Sequence, residues 1–427
     1  MILAFRNIVI CTFLVTIVLS SVFFSQTTLP APKQEKLLNG LRVLMWQDAK
    51  AEQVWVTIRV HSGSAFDPQG KEGLMQMLSD NLFPNEASRE FFREDLEGDL
   101  KITTTYDYIQ IDAMSKPDSL LTMLETVATA ISNPVIDKET TTKLRADLLA
   151  KITGMEADPA YLADRAVAKR LLGTFPYGRP QNGTVDSLKK IDFGDLIDAK
   201  TRFVTADNAT LTISGNFDRA AGFRAVRRYF GGWLKSDKKV PATFRQPDAP
   251  PAGVQIIASP KAEVTAVRFA IRGTSRGSKD FAASSVFAAI LESRLKARVP
   301  EAFASRVFVR NEIYLLPGVI TIGFSAGKDD LGTGNGKVDA NDLIAKALSD
   351  AVTDAEFQSA KTVSVATWNT RTAPLFWLDN DTYKTTSIET DRLVFNNLAL
   401  ADVRAYADTV KGSPMASVLV NTPPAKN

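Results

Sequence analysis

The chain carries one local pattern twice, on either side of a break, and this repeat limits its architecture most. Val54 to Ser64 (VWVTIRVHSGS) is an alternating, β-branched run that enters a Gly/Ser turn and then a helical pattern. Ala266 to Ser278 (AVRFAIRGTSRGS) has the same order, with Ile58-Arg59 answering Ile271-Arg272. Between them, Lys235 to Gly253 (KSDKKVPATFRQPDAPPAG) is rich in Pro and charge and lacks apolar periodicity, which is a linker composition. A chain of 427 residues organised this way is expected to form two domains of similar design. The expected division is an N-terminal segment and tether at 1–35, a first domain at 36–234, the linker at 235–253 and a second domain at 254–427.

Within the first half the local signals mix strand and helix. Asn39-Gly40 separates two short apolar runs, a hairpin signal. Leu100 to Ala113 (LKITTTYDYIQIDA) is β-branched and aromatic and reads as a strand, as does Ala209 to Ser214 before Gly215. Leu120, Leu121, Leu124, Val127, Ala128 and Ile131 recur at helical spacing, and Asn133-Pro134 ends that helix. No strict βαβ rhythm appears. The expected class is therefore α+β, with two homologous domains, each a mixed, mainly antiparallel sheet with helices packed on one face.

Composition narrows the chemistry. Apolar residues at 45% fit a globular chain, and a formal charge of +3 gives no electrostatic case for nucleic acid. The lone cysteine, Cys11, excludes a disulfide framework and a CxxC redox centre. The lone histidine, His61, excludes any site that needs two imidazoles from this chain. Its place after a strand and before Ser62-Gly63 reads as a strand-end surface or turn position. Residues 8–24 (IVICTFLVTIVLSSVFF) are uncharged and follow Arg6, so they read as a retained anchor or a removed signal. Either way the remainder is expected on the periplasmic or other extracytoplasmic side of a membrane, tethered there if the segment is retained. Gly332 to Gly336 (GTGNG) lacks the Lys-Ser/Thr of a phosphate loop and the oxygens of a calcium loop, and reads as a flexible surface insertion.

Gly63-Ser64 with Gly70-Lys71-Glu72-Gly73-Leu74, Leu82-Phe83, Asn133-Pro134, Asp158-Pro159, Pro176-Tyr177-Gly178, Asn182-Gly183-Thr184 and Asn208 to Leu211 with Gly215 stand out as a set. Together they resemble the pitrilysin/insulinase (M16) family of zinc metallopeptidases. The second half matches more loosely, through Ser293-Arg294-Leu295. The family's chemistry uses an inverted zinc motif, His-x-x-Glu-His, in which two imidazoles one helical turn apart hold the metal and the Glu polarises a bound water. Laid on this sequence, the motif falls on Gln76, Ser79 and Asp80, and the family's distant Glu ligand falls on Lys151. An ammonium offers no lone pair to a cation. Phe175 stands where the family has a His before Pro-Tyr-Gly, and an Arg/Tyr pair of active members falls on Pro300 and Val307. Arg298 and Arg306 stand nearby and read as helix-surface and turn arginines, the alternative being partial substitution for the lost pair.

The resemblance thus implies a non-catalytic member without a cofactor of its own, zinc being expected only in a partner subunit. Asp80 and Lys151 are expected to form a buried or half-buried ion pair in place of the metal, the alternative being two unpaired groups lining a wet cleft. The implied role is the non-catalytic subunit of a heterodimeric zinc peptidase. It would pair with an active M16 subunit and bind an extended peptide along the strand at Leu100 to Ala113. A stand-alone envelope scaffold and a weakly active metallopeptidase are the alternatives. The sequence identifies neither the peptide nor the partner.

Overall fold

The computed structural model describes residues 29–236, 244–259, 264–327, 330–331 and 338–421. The apolar run 8–24, Lys238-Lys239 of the linker and the Gly332 to Gly336 stretch lie outside these. Among the described residues no helix is long and apolar enough to cross a membrane.

The first sheet contains β1 (Lys33–Lys36), β2 (Arg42–Gln47), β3 (Val54–Val60), β4 (Asp99–Thr104), β5 (Ile109–Ser115) and β6 (Ala209–Gly215). Their order is β1-β2-β6-β3-β5-β4. The second contains β7 (Val254–Ala258), β8 (Val264–Arg272), β9 (Val307–Glu312), β10 (Val319–Gly327) and β11 (Met415–Asn421), in the order β7-β11-β8-β10-β9. Leaving β1 aside, the two orders correspond strand for strand. β2 runs parallel to β6 and β7 parallel to β11, and every other pair is antiparallel. The repeated sequence pattern is a repeated topology.

Helices follow from the apolar spacing. They are α1 (Leu74–Leu82), α2 (Glu86–Glu94), α3 (Leu120–Ser132), α4 (Lys138–Met155) and α5 (Pro159–Leu172), followed by further helices in both halves. On β3, Val54, Val56, Ile58 and Val60 point into the first core, where Met75, Leu78, Leu124 and Val127 also lie. α3 stops before Asn133-Pro134, since proline disfavours helical backbone in the residue preceding it. Leu121, placed by spacing on its apolar stripe, is half exposed instead.

Two local readings are corrected. Leu100 to Ala113 is a hairpin, β4 and β5, because Thr105 Oγ1 accepts from the backbone N–H of Asp107 and Tyr108 and reverses the chain. The β-branched run continues through the turn, so composition alone hid it. Ile58-Arg59 and Ile271-Arg272 share the same facing, yet Arg272 is only partly buried and bonds Gln246. The arginine that behaves like Arg59 is Arg268.

Helices do not stay on one face of each sheet. Each half lends one helix to the opposite face of the other's sheet. α5 lies against β8 and β11, where Ala163, Val167 and Leu171 meet Ala266, Ala270, Ala416 and Val418. Small alanines let helix and sheet backbones approach closely. The helix Ala373–Tyr383 returns to the first sheet, with Ala373 and Trp377 against Leu44 and Trp46.

One buried arginine, Arg59 or Arg268, anchors the charged contacts at each crossing. Arg59 Nη1 donates to Asp379 at 2.7 Å, Arg59 Nε to Gln110, and the guanidinium lies 4.1 Å from the Tyr108 ring centre. Arg371 shares Asp379. In mirror fashion Asp164 of α5 receives Arg268 and Arg310, and Arg268 also donates to the Phe324 carbonyl. Such pairs gain little net energy over apolar packing but are costly to break from one side.

Candidate functional site

The helix that would hold the metal is positioned by Asp67. Its two carboxylate oxygens accept the N–H of Gly73 at 2.7 Å and of Met75 at 2.8 Å, capping the start of α1. Burial pushes Asp67 up to about 7, while these bonds and Arg179 pull it back. Gly73 has φ of 95°, and a Cβ there would lie 2.9 Å from the Asn182 carbonyl, so glycine is required.

On α1, Gln76 and Asp80 share a half-buried face and touch one another: Gln76 Nε2 donates to Asp80 Oδ1 at 2.8 Å. Ser79 is buried, and its hydroxyl has no protein partner. α4 packs beside α1, but Lys151 is exposed and pairs with no carboxylate among the described residues. The expected ion pair between Asp80 and Lys151 is therefore absent. Leu144, Leu148 and Ile152 occupy the buried stripe of α4, and Lys151, at its edge, carries its ammonium out to water. Burial raises the Asp80 carboxyl, opposed first by the Gln76 bond and then by Lys151 and Arg89 at longer range.

These four side chains do not suit a zinc ion. They supply one carboxylate, one amide oxygen and one hydroxyl, and a lysine that repels a cation. Zinc sites are built from imidazole, thiolate and carboxylate donors. No group of three or more His, Cys, Asp or Glu able to hold a metal exists among the described residues.

The other expected positions sit elsewhere. Pro300 precedes the short helix Glu301–Ala304 and is exposed; Val307 opens β9 and is buried in the second core. Arg298 is spent on Asp350 and the Arg294 carbonyl, and Arg306 is an exposed turn residue. No hydrogen bond or ion pair joins them to α1 among the described residues. Phe175 is buried between Tyr177 and Phe244.

His61 follows β3 in a bend, as its place in the sequence suggests, but it is half-buried rather than on the open surface. It is wedged at the seam between halves, with Nδ1 3.0 Å from Thr382 Oγ1 and Nε2 3.0 Å from Thr210 Oγ1. Burial, then Arg59, Lys384 and Arg42, lowers its pKa to about 3.

Among the described residues the β4 edge of the first sheet stays open. β5 is paired on both sides, by β3 and β4, so of the predicted strand only β4 offers a free edge. α1 and α2 pack against β4 from the core side. This edge beside α1 is the candidate binding site. Sequence reasoning missed Arg59, Asp379, Arg268, Asp164 and Gln181. The only signal for the first and third was an arginine inside an apolar strand.

Comparison with known proteins agrees with this geometry. The insulinase family (peptidase family M16) profile matches residues 42–184, and the peptidase M16 inactive-domain profile matches residues 190–364. The chain belongs to the M16 peptidase family. An M16 inactive-domain structure from Pseudomonas fluorescens superposes with a TM-score of 0.80 at 19% identity, covering 93% of this chain and 99% of that one. A Helicobacter pylori protease superposes equally, at 0.80 and 16% identity, over 92% and 100% of the two chains. This chain spans 48% of the periplasmic protease PqqL from Escherichia coli, at a TM-score of 0.69 and 14% identity over 92% of this chain. By sequence, an uncharacterized zinc protease of Mycobacterium tuberculosis is 24% identical over 351 residues, 78% of each chain. One from Rickettsia bellii is 22% identical over 312 residues, 69% of this chain and 74% of that one.

Proposed function

We propose that the chain is a non-catalytic M16 subunit that joins a zinc-bearing family partner and helps enclose and bind extended peptides. The observation that carries this reading is one contrast on α1. Its half-buried face offers no zinc-binding chemistry, while the β4 edge beside it is unpaired among the described residues. An extended peptide laid along β4 would gain main-chain hydrogen bonds without needing a metal in this chain. The two repeated units, taken as 36–234 and 254–427 with a linker at 235–253, supply half of a shell that a partner completes. Export across a membrane, with residues 8–24 as signal or anchor, belongs to the same proposal.

Co-expression with an M16 subunit that carries an intact His-x-x-Glu-His, followed by peptide-cleavage assays of each chain alone and together, tests the reading. Stable co-purification and faster cleavage by the pair support it. Chelator-sensitive cleavage by this chain alone refutes it. A monomer that neither pairs nor stimulates would instead leave a stand-alone binding protein.

A further inference from the structure

The free edge of β4 is not open along its whole length. In an antiparallel ladder alternate residues turn both N–H and C=O toward the partner, and the others turn both away. Thr105 N–H bonds the Tyr108 carbonyl, so Thr105 faces β5 and Thr104 faces outward. By the same alternation Ile102 and Leu100 also face outward. The outward Thr104 carbonyl is already occupied, because it accepts from the side-chain amide of Gln181.

Gln181 is held rigidly. Its loop is fixed by Arg179, which donates to the Asp67 carbonyl at 2.6 Å and the Ala65 carbonyl at 2.9 Å. The Tyr106 hydroxyl donates to the Arg179 carbonyl at 2.7 Å, tying this loop to the β4–β5 turn. The neighbouring Gly183 N–H bonds the Pro180 carbonyl at 3.0 Å. A side chain on a fixed loop therefore fills the carbonyl of the last outward residue of the edge.

We propose that Gln181 is a strand-end stop that sets the register of a peptide added to β4, leaving only Leu100 and Ile102 to pair with it. This rests on the β4 docking reading and adds a positioning residue to it. A peptide slipped by one ladder repeat, two residues or about 7 Å, would need the Thr104 carbonyl and would meet Gln181. Its backbone bonds are thus confined to two outward residues, and the side chains opposite them share the face of Leu100 and Ile102. The ligand class is an extended segment recognised by its main chain in one fixed alignment.

The full chain would be incubated with a 12-residue Ser/Thr/Val peptide carrying a benzophenone stepped through successive positions, and crosslinks mapped by mass spectrometry. The wild type is expected to crosslink at β4 with one preferred peptide position. Gln181→Ala and Gln181→Met, the latter keeping length but losing the donor, are expected to spread or move that position by two residues with an unchanged melting temperature. A preferred position unchanged in both folded variants overturns the stop. Wild-type crosslinks that avoid β4 altogether overturn the docking reading, and the stop with it. If Gln181→Ala unfolds, Gln181→Met alone decides between these outcomes.

Discussion

His61 allows one prediction to be worked through, because no other imidazole in the chain titrates alongside it. With a pKa near 3 in the fold and an ordinary value near 6.5 when unfolded, the unfolded chain binds the extra proton between these limits. Stability from this group is therefore complete above about pH 6.5 and declines as pH falls toward 3. Between pH 7 and pH 5 the expected loss is about 2 kcal/mol, from roughly one and a half pH units at 1.36 kcal/mol each. Neutral His61 suits the site when Nδ1–H donates to Thr382, whose own proton goes to the Leu378 carbonyl. Thr210 must then give its proton to Nε2 rather than to Asp381, 2.7 Å away. Asp67 and Asp107, raised by burial to about 7 and about 6, titrate in the opposite sense, so the wild-type curve alone does not isolate the histidine. Urea unfolding of wild type and His61→Gln at pH 7 and pH 5 removes their contribution by difference. Wild type should lose about 2 kcal/mol more than the variant. Equal losses would refute the reasoning, and would mean that Thr210 hands its proton back to Asp381 and the site accepts imidazolium without cost.

Other outcomes follow from the same structure. Arg59→Met leaves Asp379 with Arg371 alone, and Asp379→Asn strands a guanidinium that is 1% exposed; each should cost about 3–5 kcal/mol in chemical denaturation. The Arg294 guanidinium holds Glu356 near 2 through two hydrogen bonds. Stability from that pair is present above the ordinary glutamate range and is lost as pH falls from about 4.5 to 2, so Glu356→Gln should flatten the acid limb of a melting curve. Metal analysis of the purified chain should find well below one equivalent of zinc, and chelator should leave its melting temperature unchanged. Gly73→Ala should destabilise by about 1–3 kcal/mol, since it puts a Cβ at positive φ beside the Asn182 carbonyl.

Much of the fold was legible locally. The strand–turn–helix pattern at Val54 and again at Ala266 appears as the same strand order in both sheets, because alternation of apolar residues fixes which face of a strand is buried. The Asn39-Gly40 turn and the end of α3 depend on backbone preferences of a few adjacent residues, and those act before any tertiary contact forms. The β4–β5 turn escaped notice because Thr105 and Tyr106 are good strand residues used in a turn. The expected Asp80–Lys151 pair does not form, because a residue at the rim of an apolar stripe with a four-carbon arm reaches water.

Residue counts do not change on folding, so one histidine and one cysteine settled by themselves that this chain cannot build a two-imidazole or paired-thiol zinc site. Partnerships do change. Arg59 and Asp379 lie 320 positions apart, and only the return of a helix from the opposite half joins them. The same return half-buries His61, and the same docking of distant segments sets Gln181 at the end of the outer edge of β4. A local pattern can say which face of a strand is apolar; which polar group meets it from elsewhere depends on chain topology, and that exists only once both halves have packed together.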